Sequence, residues 1–198
     1  FALCCRKTPY ELGRSDGGIS TFKNRIRSDE IVAFFKPVIE DKEAKDNHID
    51  AVLSHFKIPM EYEEAYAFSR SELNELRNQG RINYVYDEII EKYKKLEERF
   101  DFVLVEGTSF SGEGTAIELD MNVLIAKNLG IPAIIVGSGV GKTLEEFLDG
   151  EYLAYDSFKN KEVEVLAFIA NKIQPENLQL AEDGLRSVLP KEVLVSAI

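Results

Sequence analysis

The chain has 198 residues, 44% of them apolar, and a formal net charge of −11. That length supports one domain with a real core, and the apolar share excludes a disordered chain. The acidic balance excludes a nucleic-acid groove and an anionic membrane surface as partners.

No apolar run reaches membrane-spanning length, and Phe1–Cys5 is too short for a secretory signal and leads into charge. A cytoplasmic protein is expected. The two cysteines, Cys4 and Cys5, are adjacent. Neighbours on a strand point to opposite faces, so they make poor disulfide partners and read as thiols in a reducing compartment. His48 and His55 complete the set of soft-metal ligands, which is too few for a site of that kind.

In chain order, "FALCC" (1–5) and "IVAFFKP" (31–37) are predicted strands: short, apolar and bounded by charge or proline. Residues 40–82 are polar and weakly periodic, and an inserted helix with loops is expected there. "NYVYDEIIEKYKKLEERF" (83–100) places Val85, Ile89, Tyr93 and Leu96 on one helical face, with Glu91–Lys95 as an i,i+4 pair. "FVLVEG" (102–107) is a strand. "GTAIELDMNVLIAKNLG" (114–130) is a helix ended by Gly130 and Pro132. "PAIIVG" (132–137) is a strand, and "TLEEFLDG" (143–150) a helix opened by a Thr143 cap. "VLAFIANK" (165–172) is a strand, and "PENLQLAEDGLRSVLP" (175–190) a helix entered through Pro175. "VLVSA" (193–197) is a sixth strand. Strands alternating with helices predict a three-layer α/β fold with a mainly parallel sheet, as one domain over 1–198.

Two stretches invite comparison with a phosphate-binding loop, Gly-x-x-x-x-Gly-Lys-[Ser/Thr]. "GSGVGKT" (137–143) has three residues between Gly137 and Gly141 where four are needed. It also follows the acidic strand "FVLVEG", which it should precede. It reads instead as a strand-to-helix turn whose glycines permit unusual dihedrals. "TPYELGRS" (8–15) has the correct spacing and follows the first strand. Gly13 and Ser15 match the end of the motif, Arg14 replaces its lysine, and Thr8 stands where the first glycine is usual. The Ser15 hydroxyl can ligate Mg²⁺. A planar guanidinium is not a flexible point charge, however, and Glu11 and Asp16 would repel phosphate. Gly17 and Gly18 weaken the helix whose N-terminus should hold the anion. From its residues this is a P-loop remnant.

Taken together, "FFKPV" (34–38), "FDFVLVEGTSF" (100–110), "ELDMNVLIAKNLGIPAIIVGSGVGKTLEE" (118–146) and "IANKIQPENL" (169–178) resemble one family in this order. It is the dethiobiotin-synthetase-like, P-loop NTPase-derived domain at the N-terminus of long bacterial phosphate acetyltransferases. The resemblance covers nearly the whole chain. It implies a fragment of a longer protein, with a C-terminal acetyltransferase domain outside this chain. That domain would interconvert acetyl-CoA plus phosphate with acetyl phosphate plus CoA. The present chain would be regulatory or support assembly of a homo-oligomer, and would answer to a nucleotide or metabolite effector. The cofactor implied is ATP or ADP with Mg²⁺.

The family pattern falls on Gly13, Arg14 and Ser15 for the P-loop end. Lys36 of "FKP" would approach phosphate, and Glu106 of "VEG" would orient Mg²⁺ beside Gly107, where the backbone can come close. A second acid for the metal would be Asp50, with Asp46 as the fallback. Asn171 and Lys172 would face the purine base. Each also has an ordinary reading: a solvated strand-end Lys36, an ion-paired Glu106, a surface Asp50, a turn-forming Asn171. His48 and His55 read as surface or boundary residues, and Tyr62, Tyr66 and Phe68 as cover for the edge of the core. Two other functions stay open. One is an ATP-dependent ligase like dethiobiotin synthetase, against which "TSFSGEG" (108–114) counts by replacing that enzyme's substrate loop. The other is a scaffold that has lost nucleotide binding.

Overall fold

A computed structural model describes residues 2–7, 31–108 and 115–198. It opens with β1 (Ala2–Lys7). By contacts the chain groups into two compact units, Cys4–Gly114 and Thr115–Ile198 with Phe1–Leu3.

In the unit Cys4–Gly114, β2 (Val32–Phe35) runs into Lys36-Pro37 and a two-residue strand, β3 (Val38–Ile39). Helix α1 (Asn47–Phe56) follows, then β4 (Phe68–Ser69), α2 (Arg70–Asn78), α3 (Ile82–Glu97) and β5 (Phe102–Glu106). The polar region 40–82 therefore holds two helices and one arm of a small parallel pair, β3 with β4. Asp46 caps α1, and Ser69 caps α2 in a reciprocal box with Glu72. Helix α3 buries Val85, Ile89, Tyr93 and Leu96, as its periodicity requires. Strand β2 pairs with β5 in parallel, with Phe34 opposite Leu104. Phe34, Ile39, Ile49 and Ala65 make a core cluster, with Val52, Leu53, Tyr62, Tyr66 and Leu104 packed on it.

In the other unit, α4 (Thr115–Leu129) leads to β6 (Ala133–Ser138), α5 (Leu144–Asn160), β7 (Val165–Asn171), α6 (Leu178–Val188) and β8 (Leu194–Ala197). Strands β6, β7 and β8 pair in parallel in that order. Helix α4 ends as its sequence requires: Gly130 takes φ +64° and the Ile131 amide turns back to Ala126 O. One turn, Pro175–Asn177, precedes α6. The α/β class with parallel pairing is therefore the observed one.

Helix α5 departs from expectation. It does not end at Gly150 but continues to Asn160. Phe147, Glu151, Tyr155 and Phe158 form one continuous buried face across the glycine. An interior glycine costs a helix about 1 kcal/mol relative to alanine, less than this burial returns. A Cβ at Gly150 would meet nothing within 4 Å. We expect Gly150→Ala to stabilise the protein by about 0.5–1 kcal/mol in urea denaturation. Phe158→Ala, at a fully buried position, should destabilise it by about 3–5 kcal/mol.

Candidate functional site

Parallel register builds the site. Side chains two apart on a strand share a face. Phe34 lies opposite Leu104, both against the core cluster. The next residues on that face are Lys36 and Glu106, at the carboxyl ends of β2 and β5. Their charged ends meet there, with Lys36 Nζ 3.5 Å from Glu106 Oε1. The backbone of Lys36 is fixed from the other side: its amide donates to Ala65 O at 2.8 Å, and Pro37 O accepts from Ala67 and Phe68. Lys92 of α3 donates to Tyr66 O and Glu63 O, tying down the same segment.

Helix α1 supplies the second acid through its cap. Asp46 Oδ1 accepts from the amides of His48 and Ile49, at 2.9 and 3.2 Å. Its Oδ2 accepts from Lys36 Nζ at 2.8 Å. One carboxylate thus starts the helix and holds the lysine. The side chains of Lys36 and Asp46 are only 11% and 9% exposed. Burial alone would raise the Asp46 carboxyl, but the Lys36 hydrogen bond and the two helix amides outweigh it and hold it below its ordinary value.

Asp50 does not join this group. It lies one turn further along α1, exposed, 3.5 Å from Lys45. The structure brings Asp46 to Lys36 instead, because the cap position faces the strand ends and position 50 faces out. His48 also joins: its Nδ1 lies 2.6 Å from Glu106 Oε1, although the ring is 61% exposed. The sequence reads it as a surface or boundary residue, and the ring is exposed. The available signal was its place two residues after a capping aspartate in "DNHID". Gly107 is buried directly after Glu106. Tyr62 and Tyr66 are partly buried on the core cluster and Phe68 is buried, as cover for the core edge. Thr8, Gly13, Arg14 and Ser15 lie outside the described residues.

In the other unit, Asn171 ends β7 opposite Ser138 of β6, and its carbonyl accepts from Gly139 at 2.9 Å. Lys172 is exposed and left-handed, φ +56°. Each glycine of "GSGVGKT" has a local reason. A Cβ at Gly137 would lie 2.3 Å from the Glu151 carboxylate. One at Gly139 would meet the Ile173 side chain at 2.7 Å, and Gly141 takes φ +72°. Thr143 caps α5, and Glu146 returns the bond to the Thr143 amide. The Thr143 and Glu146 amides at the helix start are thereby engaged, and Glu145 and Glu146 add negative charge. The stretch is a packed turn.

A divalent cation would suit the first group chemically. Asp46 and Glu106 are hard oxygen donors, and they already hold a cation, the Lys36 ammonium. Among the described residues no three histidine, cysteine or acidic side chains converge as a ready metal site. Mg²⁺ would need further oxygens from water or substrate.

The Asp46 carboxylate stabilises the fold above the ordinary carboxylate pKa, and that contribution is lost as pH falls through its lowered folded value. We expect Asp46→Ala to cost about 2 kcal/mol at pH 7, from a lost cap and a stranded lysine. The loss should shrink towards pH 3, as followed by denaturation across pH.

A model of the AAA domain family matches residues 21–197. A phosphate acetyltransferase of Nitratidesulfovibrio vulgaris is 35% identical over 167 residues, which are 83% of this chain and 24% of that protein. One from Synechocystis sp. is 34% identical over 147 residues, 73% of this chain and 21% of its own length. The chain spans about a quarter of the length of the curated relatives it matches. No described helix is long and apolar enough to cross a membrane. The parallel α/β elements and this match over most of the chain agree: the chain belongs to the AAA domain family, in the P-loop NTPase-like, dethiobiotin-synthetase-like form that is similar to part of phosphate acetyltransferases.

Proposed function

We propose that the chain is the N-terminal regulatory and assembly domain of a cytoplasmic phosphate acetyltransferase, with an altered nucleotide site. The carrying observation is a match over most of this chain to about a quarter of proteins so named. Acetyl transfer between CoA and phosphate then belongs to a part of the protein that this chain does not span. What this chain contributes is binding. Lys36 is positioned to meet a phosphate group, and Asp46 and Glu106 would hold Mg²⁺, which would neutralise phosphate charge. Asp46 takes the role expected of Asp50. Gly107 allows backbone approach, and Thr8, Gly13, Arg14 and Ser15 would wrap the phosphates, with Ser15 on the metal. Asn171 and Lys172 are assigned to the purine base by the resemblance. The effector is a nucleotide such as ATP or ADP, or a phosphorylated metabolite, and the full protein is a homo-oligomer.

A ligase reading like dethiobiotin synthetase is favoured by one observation: Lys36, Asp46 and Glu106 stand together as one group. Arg14 in place of the P-loop lysine weighs against it. ATP-dependent turnover of a diamine with CO₂, abolished by Glu106→Ala, would establish the ligase.

Calorimetric titration of the 198-residue chain with ATP·Mg²⁺ and ADP tests the binding claim. We expect saturable binding, weakened at least about tenfold in Lys36→Met, which removes a charge-assisted phosphate contact. We also expect no CoA-dependent formation of acetyl phosphate by this chain alone. Absence of heat and of thermal shift up to millimolar nucleotide would leave the scaffold reading. Acetyl phosphate formation would overturn the division of labour.

A further inference from the structure

The buried acid of α5 has no part in the site above. Glu151 projects from the eighth position of α5 onto β6, where Gly137 leaves a notch. A Cβ at Gly137 would lie 2.3–2.5 Å from all three carboxylate atoms, so glycine is what admits the acid. The Glu151 side chain is 9% exposed, and its ion partner is Lys142 of the turn, with Nζ 3.9 Å from Oε1. That separation is beyond hydrogen-bond range. Lys142 lies over the Phe147 ring with its side chain 42% exposed, so it has room to move in or out. The turn that carries it contains Gly139 and the left-handed Gly141.

We propose that Glu151 and Lys142 form a proton-operated latch on the turn between β6 and α5, closed when the Glu151 carboxyl is ionised and open when it is protonated. An ionised carboxylate in this notch draws the ammonium across the gap, because burial leaves it little water to substitute. A neutral carboxyl stays buried at low cost and releases Lys142 to solvent. Burial pushes the Glu151 carboxyl above its ordinary value, and Lys142 pulls it back. Among the described residues, β6 presents the Gly137 backbone to the acid, and α5 itself presents Phe147 and Tyr155 one turn to either side. The turn is bonded to β7 through Gly139 N–H to Asn171 O, so its state reaches that strand end. The latch is independent of the nucleotide reading.

The test is amide hydrogen exchange by NMR at Gly139, Val140 and Lys142 across pH, alongside the carbon titration of the Glu151 carboxyl. We expect opening of the turn to fall about fivefold as Glu151 ionises, the scale of one new ion pair of about 1 kcal/mol. The step should vanish in Lys142→Met, an exposed change that leaves the core untouched, and in Glu151→Gln. Turn protection that ignores the Glu151 titration, or survives in Lys142→Met, would overturn the latch. So would ionisation that loosens α5 around Tyr152 while the turn is unmoved, since the acid would then be leaving its notch.

Discussion

Lys36 sits with its ammonium between two acids, 2.8 Å from Asp46 and 3.5 Å from Glu106, and the candidate site depends on that arrangement. Three unrelated pieces of backbone must agree to produce it. The β2–β5 register sets Lys36 beside Glu106, the start of α1 sets Asp46 opposite, and the Ala65–Phe68 segment clamps the residues that carry the lysine. A buried ion pair does not stabilise much beyond an apolar replacement, but removing one member strands the other. Such a group is better suited to holding geometry than to adding stability.

The same physical tension recurs, in simpler form, at Glu151. There the acid is buried against a glycine with a lysine just out of reach. The two groups differ in the number of compensating contacts. Asp46 has helix amides and a direct lysine bond, and its carboxyl is held low. Glu151 has burial and a distant ammonium, and its carboxyl is pushed up. Environment, more than residue type, sets the direction in which each carboxyl is moved.

Much of this was legible in the sequence. Apolar runs bounded by proline, glycine or charge marked the main strands, and the α3 periodicity marked its buried face. Lys36 and Glu106 were recognisable as strand-end residues. Asp46 and Asp50 were harder to separate, because both belong to the start of one helix and differ by a single turn. Only the cap geometry tells which one faces the sheet. His48 was missed because its contact with Glu106 is made from an exposed position, where sequence pattern carries little information. The extent of α5 beyond Gly150 is not legible in the sequence, because a buried glutamate reads as polar and hides the continuing face. In "GSGVGKT" the glycines answer to Glu151, Ile173 and a left-handed turn, none of which a phosphate motif invokes.

The most direct measurement is a double-mutant cycle between Lys36→Met and Asp46→Asn, followed by denaturant unfolding at pH 7. If the lysine is held by the acid as the geometry shows, the two changes couple by at least about 1 kcal/mol, as contacting charges do. Additivity within about 0.5 kcal/mol would contradict it, because that is how independent sites behave.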